Sequence, residues 1–293
     1  MNNLLINRLF SQNALKDMTV NQNSSILNSC INKHKNSFNG DDNKAAISYL
    51  YKYSGKEYRN EYFYKNTLLN KLLIGRHSLN TTTALTELNI GNSKADFVLI
   101  NGKAVVYEIK TELDNLDRLD NQIKDYYKAF DHVCIVTSKK HLNKVMEKYS
   151  NTDVGVCVLT ERETISTKKE AIENRTGLEH SSIFKMLRKK EFEIVLSKYY
   201  GFLPKTNQFV YYRECLKLFE RIPIEFVYKE TLILLKKRVK LANQEKFLND
   251  IPYELKTLVY FSEYNERQYD RLLDFLNNHI IKEEENVFSL FER

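Results

Sequence analysis

Apolar positions along the chain change their period twice, and the changes mark off three stretches. From Asp41 the pattern AAISYLYKYSG repeats at helical spacing and predicts a helix stopped at Gly55. KEYRNEYFYKNTLLNKLLIG predicts a second, with Tyr58, Tyr62, Leu68, Leu69 and Leu72 on the repeat before Gly75. Ahead of them, residues 1 to about 40 are rich in Asn and Ser and predict a helix or two and a loop, loosely ordered. The period then shortens to that of strands. TALTELNI, ADFVLI and KAVVYEIK are short β-branched or apolar runs parted by GNSK and NG, the second a hairpin signal, and predict three antiparallel strands. DRLDNQIKDYYKAF returns to helical spacing, with Leu119, Ile123 and Tyr127 on one side. HVCIVTS and VGVCVLT read as buried strands around a helix in HLNKVMEKYS.

The sum is an α/β protein with a mixed sheet flanked by helices. After Thr160 the run TERETISTKKEAIENRTG is a polar connector with room for one edge strand. From Ser181 the blocks SIFKMLRKKEFEIVLSKYYG, FVYYRECLKLFERI, IEFVYKETLILLKKRVK and YDRLLDFLNNHIIKEEEN are helical, punctuated by Pro204, Pro223 and Pro252. The expected organisation is a helical lead-in over residues 1–56, a sheet core over 57–165 and an all-α C-terminal region over 181–293.

Composition changes this picture little. The 293 residues are 42% hydrophobic and 28% charged, ordinary for a globular protein, and three Pro with eight Gly disfavour a tightly turned all-β fold. Charge adds more. The net +7 permits a polyanionic partner, and it is uneven: residues 185–246 hold 15 Lys/Arg against 7 Asp/Glu, whereas 250–293 hold 5 against 10. The basic block can follow a phosphate backbone or simply form the solvated sides of amphipathic helices. The opposed charges also allow a homo-oligomer or a protein partner through the C-terminal helical region. Cys30, Cys134, Cys157 and Cys215 show no C-x-x-C or zinc-ligand spacing, and no run approaches the roughly 20 apolar residues of a membrane span. A cytoplasmic protein with reduced thiols and no membrane contact is expected.

The chemistry gathers in KADFVLINGKAVVYEIKTE. Strand alternation sends Glu108 and Lys110 to one face, and the hairpin through Asn101-Gly102 brings Asp96 toward them. Isolated charges are costly to bury, so the three either pair as a salt bridge at a sheet end or share a site. Two carboxylates on adjacent strands make a hard-oxygen pocket suited to Mg²⁺ or Mn²⁺.

Asp96, eleven residues, then Glu108-Ile109-Lys110 on the next strand resembles the D…E-x-K signature of the PD-(D/E)XK, or restriction-endonuclease-like, nuclease superfamily, with Ala95 where the proline of that name stands. The resemblance covers residues 57–160, to a bacterial branch of stand-alone proteins. QIKDY, with Gln122 and Tyr126 on one helix face, is similar to the Q-x-x-x-Y element of RecB-like nucleases, and Glu87 resembles the extra acidic residue of many members. The resemblance implies a restriction-endonuclease-like mixed sheet and a Mg²⁺-dependent (or Mn²⁺-dependent) phosphodiesterase acting on DNA, in DNA processing or in defence against phage and mobile DNA. It implies metal at Asp96, Glu108 and the Ile109 carbonyl, Lys110 positioning the attacking water, Glu87 and Gln122 beside them, and nucleic acid near Gln122, Tyr126 and Arg118. Two alternatives stay open: a non-cleaving module of the same fold that binds nucleic acid or a protein partner, and the same site acting on RNA. For Glu87 the bland reading is a solvent-facing edge residue, for Gln122 and Tyr126 helix packing, and for Arg118 an ion pair with Asp114.

Overall fold

The computed structural model describes residues 4–35 and 37–280. The chain separates into two compact units, one of residues 59–241 and one that joins 1–58 to the segment after 242. The first contains the sheet. Its strands are β1 (Thr83–Ile90), β2 (Ser93–Asn101), β3 (Lys103–Lys110), β4 (His132–Thr137), β5 (Gly155–Leu159) and β6 (Ile165–Lys169), side by side in sequence order. β1, β2 and β3 run antiparallel, β4 and β5 add in parallel to β3, and β6 returns antiparallel along β5.

Connections follow from these directions. Antiparallel neighbours need only a turn, and Gly91 (φ 59°) and Gly102 (φ 70°) supply left-handed backbone there. Parallel neighbours need a crossover, which the helices Leu119–Tyr127 and Lys139–Tyr149 provide before β4 and β5. With neighbours on both edges and cover on both faces, β4 and β5 are buried along their whole length, which is why they read as continuous apolar runs. The connector after β5 does hold an edge strand, β6, half-buried to exposed.

One face of the sheet is covered by a single apolar core. Val98, Ile100, Ala104, Val106, Val133 and Ile135 meet Leu119, Ile123 and Tyr126 of the first crossover helix, and the same core takes in Phe184, Val195, Phe219, Val227 and Leu235. Those last residues lie on the helices His180–Met186, Lys189–Tyr200, Gln208–Phe219 and Ile224–Lys236. Polar ties reinforce the packing: the Thr83 hydroxyl donates to the Lys236 carbonyl at 2.8 Å, and Arg175 bridges Asp131 and Glu225. Helices are thus present after the sheet as expected, yet compactness divides the 181–293 region near Ala242, because its first four helices share the core of the sheet.

The other unit is helical. Leu4–Leu9, Gln12–Lys16, Ser25–His34 and Asn43–Glu57 form its N-terminal part, and Gln244–Asn249, Lys256–Tyr260 and Glu266–Asn277 its C-terminal part. Local sequence explains the starts: Ser11, Ser24, Asp42, Asn243 and Asn265 each cap a helix with a side-chain oxygen. Residues 4–35 are therefore more ordered than their Asn/Ser content predicts, since Ile6, Leu9, Leu15, Met18 and Leu27 are buried. Gly55 is not a helix stop. It is buried inside Asn43–Glu57, and the helix ends where Tyr58 turns extended. Residues 281–293, with much of the acidic tail, lie outside the described residues.

Candidate functional site

The apolar residues of β1 and β2 position the site through an irregularity. Thr86 pairs with Phe97 and Leu88 with Ala95, leaving Glu87 and Asp96 between paired positions. Glu87 has φ 55°, a left-handed conformation rare for a side chain of its kind, and the Thr86 hydroxyl donates to the Asp96 carbonyl at 2.7 Å. The register is the same on either side, but the alternation slips by one residue on both strands here, so Leu85, Leu88 and Ile90 all reach the same core, as do Ala95 and Val98. Core packing on both sides of this irregularity therefore fixes where Asp96 sits. Its Oδ2 accepts the Ile109 peptide N–H from β3 at 2.8 Å.

Glu108 and Lys110 share a face of β3, and both are buried. Lys110 Nζ donates to Glu108 Oε1 at 2.7 Å and to Gln122 Oε1 at 2.9 Å. The second carboxylate oxygen, Oε2, accepts the Tyr126 hydroxyl at 2.5 Å. The crossover helix Leu119–Tyr127 thus reaches over the strand with two side chains one turn apart, one holding the ammonium and the other the carboxylate. Burial, with the Glu108 charge adding to it, raises the Tyr126 pKa, so this hydroxyl stays a protonated donor. Asp96 is pushed up to about 8, first by burial and then by the charge of Glu108. A divalent ion beside Asp96 and Glu108 would offset the mutual repulsion of the two carboxylates.

Glu87 takes a different place from Asp96. Its half-exposed carboxylate is held by Lys65, with Lys94 at 3.2 Å. Lys65 in turn pairs with Glu61 one helical turn back, at 2.6 Å, on the helix Glu61–Leu68 that Asn60 caps. Glu61 and Lys65 were not anticipated, although both act electrostatically on Asp96. The signal available was the i,i+4 pair itself, common on any helix.

Arg118 makes no pair with Asp114, whose Oδ2 is taken by the Thr111 N–H at 2.7 Å and the Thr111 hydroxyl at 2.8 Å. Instead Arg118 lines an open cleft of about 600 Å³ with Gln122, Lys94, Lys124 and Lys128. Asp125 closes its floor, accepting from Asn92 N–H, Ser93 and Lys128. The Gln122 side chain borders both this basic cleft and the buried pair, so a polyanion in the cleft would lie beside Lys110.

Fit to a metal ion was judged on the donors. Among the described residues, no group of three or more His, Cys, Asp and Glu side chains converges on one point. Asp96, Glu108 and a main-chain carbonyl are hard oxygen donors of the type Mg²⁺ accepts while keeping several waters. His77 and His132 take no part, being bonded to Asn101 and Asp131, each at 2.8 Å.

Comparison with known proteins gives two similarities. The family model described as bacteriophage P4 protein cII matches residues 54–259, well over half of the chain and all of this site. Protein cII of Enterobacteria phage P4 is 36% identical over 80 residues, 27% of this chain and 30% of that protein. The matched stretch therefore spans under a third of the curated relative. No solved structure matches.

Proposed function

The chain belongs to the bacteriophage P4 protein cII family, and from that premise we propose that it is a metal-dependent nuclease of the PD-(D/E)XK type, acting on DNA. One observation carries the reading: Lys110 is clamped between Glu108 and Gln122, while Tyr126 holds the opposite oxygen of Glu108. A salt bridge at a sheet end needs only two of these four groups. Further support comes from the strand order, three antiparallel strands and a helical crossover to a fourth parallel to the third, and from the basic cleft beside Gln122.

In this mechanism Asp96, Glu108 and the Ile109 carbonyl would hold Mg²⁺ or Mn²⁺, which would supply Lewis-acid neutralisation of the scissile phosphate. Lys94, Arg118, Lys124 and Lys128 take neighbouring phosphates in the cleft and set the backbone's path. Lys110 holds the attacking water and offsets the negative charge that grows on phosphorus oxygens as the bond to the leaving sugar oxygen breaks. Tyr126 keeps Glu108 in one rotamer, and the irregular pairing at Glu87 keeps Asp96 against the Ile109 peptide. Since the similar curated protein comes from a phage, nucleic acid of mobile elements is the setting we favour.

Purified protein incubated with single- and double-stranded DNA and RNA, with Mg²⁺, Mn²⁺ or EDTA, tests the proposal. Metal-dependent digestion of DNA that Asp96→Ala abolishes is expected. Digestion confined to RNA would reassign the substrate, and no digestion of any substrate would leave a non-cleaving binding module.

A further inference from the structure

The helices Lys189–Tyr200 and Gln208–Phe219 border a second open groove, of about 730 Å³, which the proposed nuclease site does not use. Its aromatic wall is anchored from behind. Tyr212 packs edge-on against Phe184 (ring centroids 5.0 Å) and Phe192 (6.0 Å), both in the core, while half of its own surface stays open. Tyr211 is fixed by a hydrogen bond to Glu193 at 2.8 Å and carries Lys189 over its ring at 5.1 Å. Lys185 lines the same groove. One turn before Tyr212, Phe209 projects with 98% of its surface exposed, and Phe202 lies 56% exposed on the loop between the helices. Phe202, Phe209 and Tyr212 together expose a large apolar surface within one short stretch, and such a surface marks a site that binds something.

Charge selects the occupant. Residues 185–217 carry eight Lys/Arg against three Asp/Glu. The three acids are already engaged: Glu191 by Arg238, Glu193 by Tyr211 and, at 4.0 Å, by Lys189, and Glu214 by Lys217. Lys185, Lys190 and Lys205, in contrast, make no ion pair among the described residues. Open aromatic faces beside uncommitted lysines match a ligand that alternates flat rings with negative charges, as a single nucleic-acid strand does. We propose that this groove binds single-stranded nucleic acid, with bases stacking on Tyr212 within it and on Phe209 outside it one helical turn away, and phosphates on Lys185 and Lys189. It gives the basic block of the C-terminal helices a specific task. The inference rests on the nuclease reading for its biological sense, and its test is independent of cleavage.

The experiment measures fluorescence anisotropy of a labelled oligo(dT) strand in EDTA, where nothing is cut, for wild type, Phe209→Ala, Tyr212→Ala and Lys189→Ala. Phe209 is nearly bare to water, so its variant tests the surface without endangering the fold, and circular dichroism checks the others. Expected are weakening of about tenfold for each aromatic variant and a steep loss of affinity with salt. Binding that is unchanged in Phe209→Ala and Tyr212→Ala overturns the inference, even where metal-dependent cleavage stands. Unchanged binding with a shift from dimer to monomer in light scattering assigns the surface to a second copy of the chain and overturns it too. Weakened binding in a protein that cuts no substrate upholds the groove and removes the nuclease reading.

Discussion

A buried carboxylate is tolerable only when both of its oxygens are answered, and Glu108 shows how: Lys110 takes one and Tyr126 the other. Of these partners Lys110 was readable from alternation on one strand, and Tyr126 from its spacing to Gln122. Glu61 and Lys65 were not readable, because their approach to Asp96 depends on how a separate helix lies, which no local pattern encodes. The same accounting operates away from the site. Burial opposes ionisation of Glu191, yet the Arg238 guanidinium at 2.5 Å and the Arg188 N–H hold its carboxyl below the usual carboxylate value. A depressed folded-state pKa means that the pair stabilises above the ordinary carboxylate range and that this is lost as pH falls through the folded value. Glu191→Gln should cost about 3 kcal/mol at pH 7, as removal of one partner from a mostly buried pair does. Thermal melting of the two proteins at pH 7 and pH 3 should show the difference shrinking in acid, and a constant gap would contradict the pairing.

At the scale of elements, the turn between β1 and β2 links stability to the site. Gly91 is left-handed, and a Cβ there would come within 2.7 Å of Asp125 Oδ1, the group that also accepts from Asn92 and Ser93 through its other oxygen. Gly91→Ala should cost about 2 kcal/mol from backbone strain and displacement of Asp125, measured by urea unfolding. Strands and crossover helices were legible because their apolar periods are strong. The slip in alternation was legible only in hindsight: Leu85, Leu88 and Ile90 are spaced three and then two apart, and one regular strand cannot bury all three on one face. Nothing about Glu87 foretells a positive φ, since the conformation is imposed by packing on either side of it. Gly55 misled for the complementary reason, as its burial inside a helix leaves no need for the freedom that makes glycine a stop.

Taken whole, the molecule places its candidate chemistry in the unit of residues 59–241, where helices before, within and after the sheet all contribute. No helix among the described residues is long and apolar enough to cross a membrane. The three antiparallel strands and the Glu108–Lys110 pair followed from local pattern, whereas the place of β4 to β6 in the sheet and the division of the C-terminal helices between two units depended on long-range packing that pattern does not carry. The central claim is that Lys110 acts on a phosphodiester rather than merely neutralising Glu108. Its most direct test is the single-turnover rate of DNA cleavage in Mg²⁺ by wild type and by Lys110→Ala, with melting curves confirming that both are folded. A fall of about 10²-fold or more is predicted, the scale of a lost positioning or proton-handling group; equal rates in two folded proteins would contradict the account.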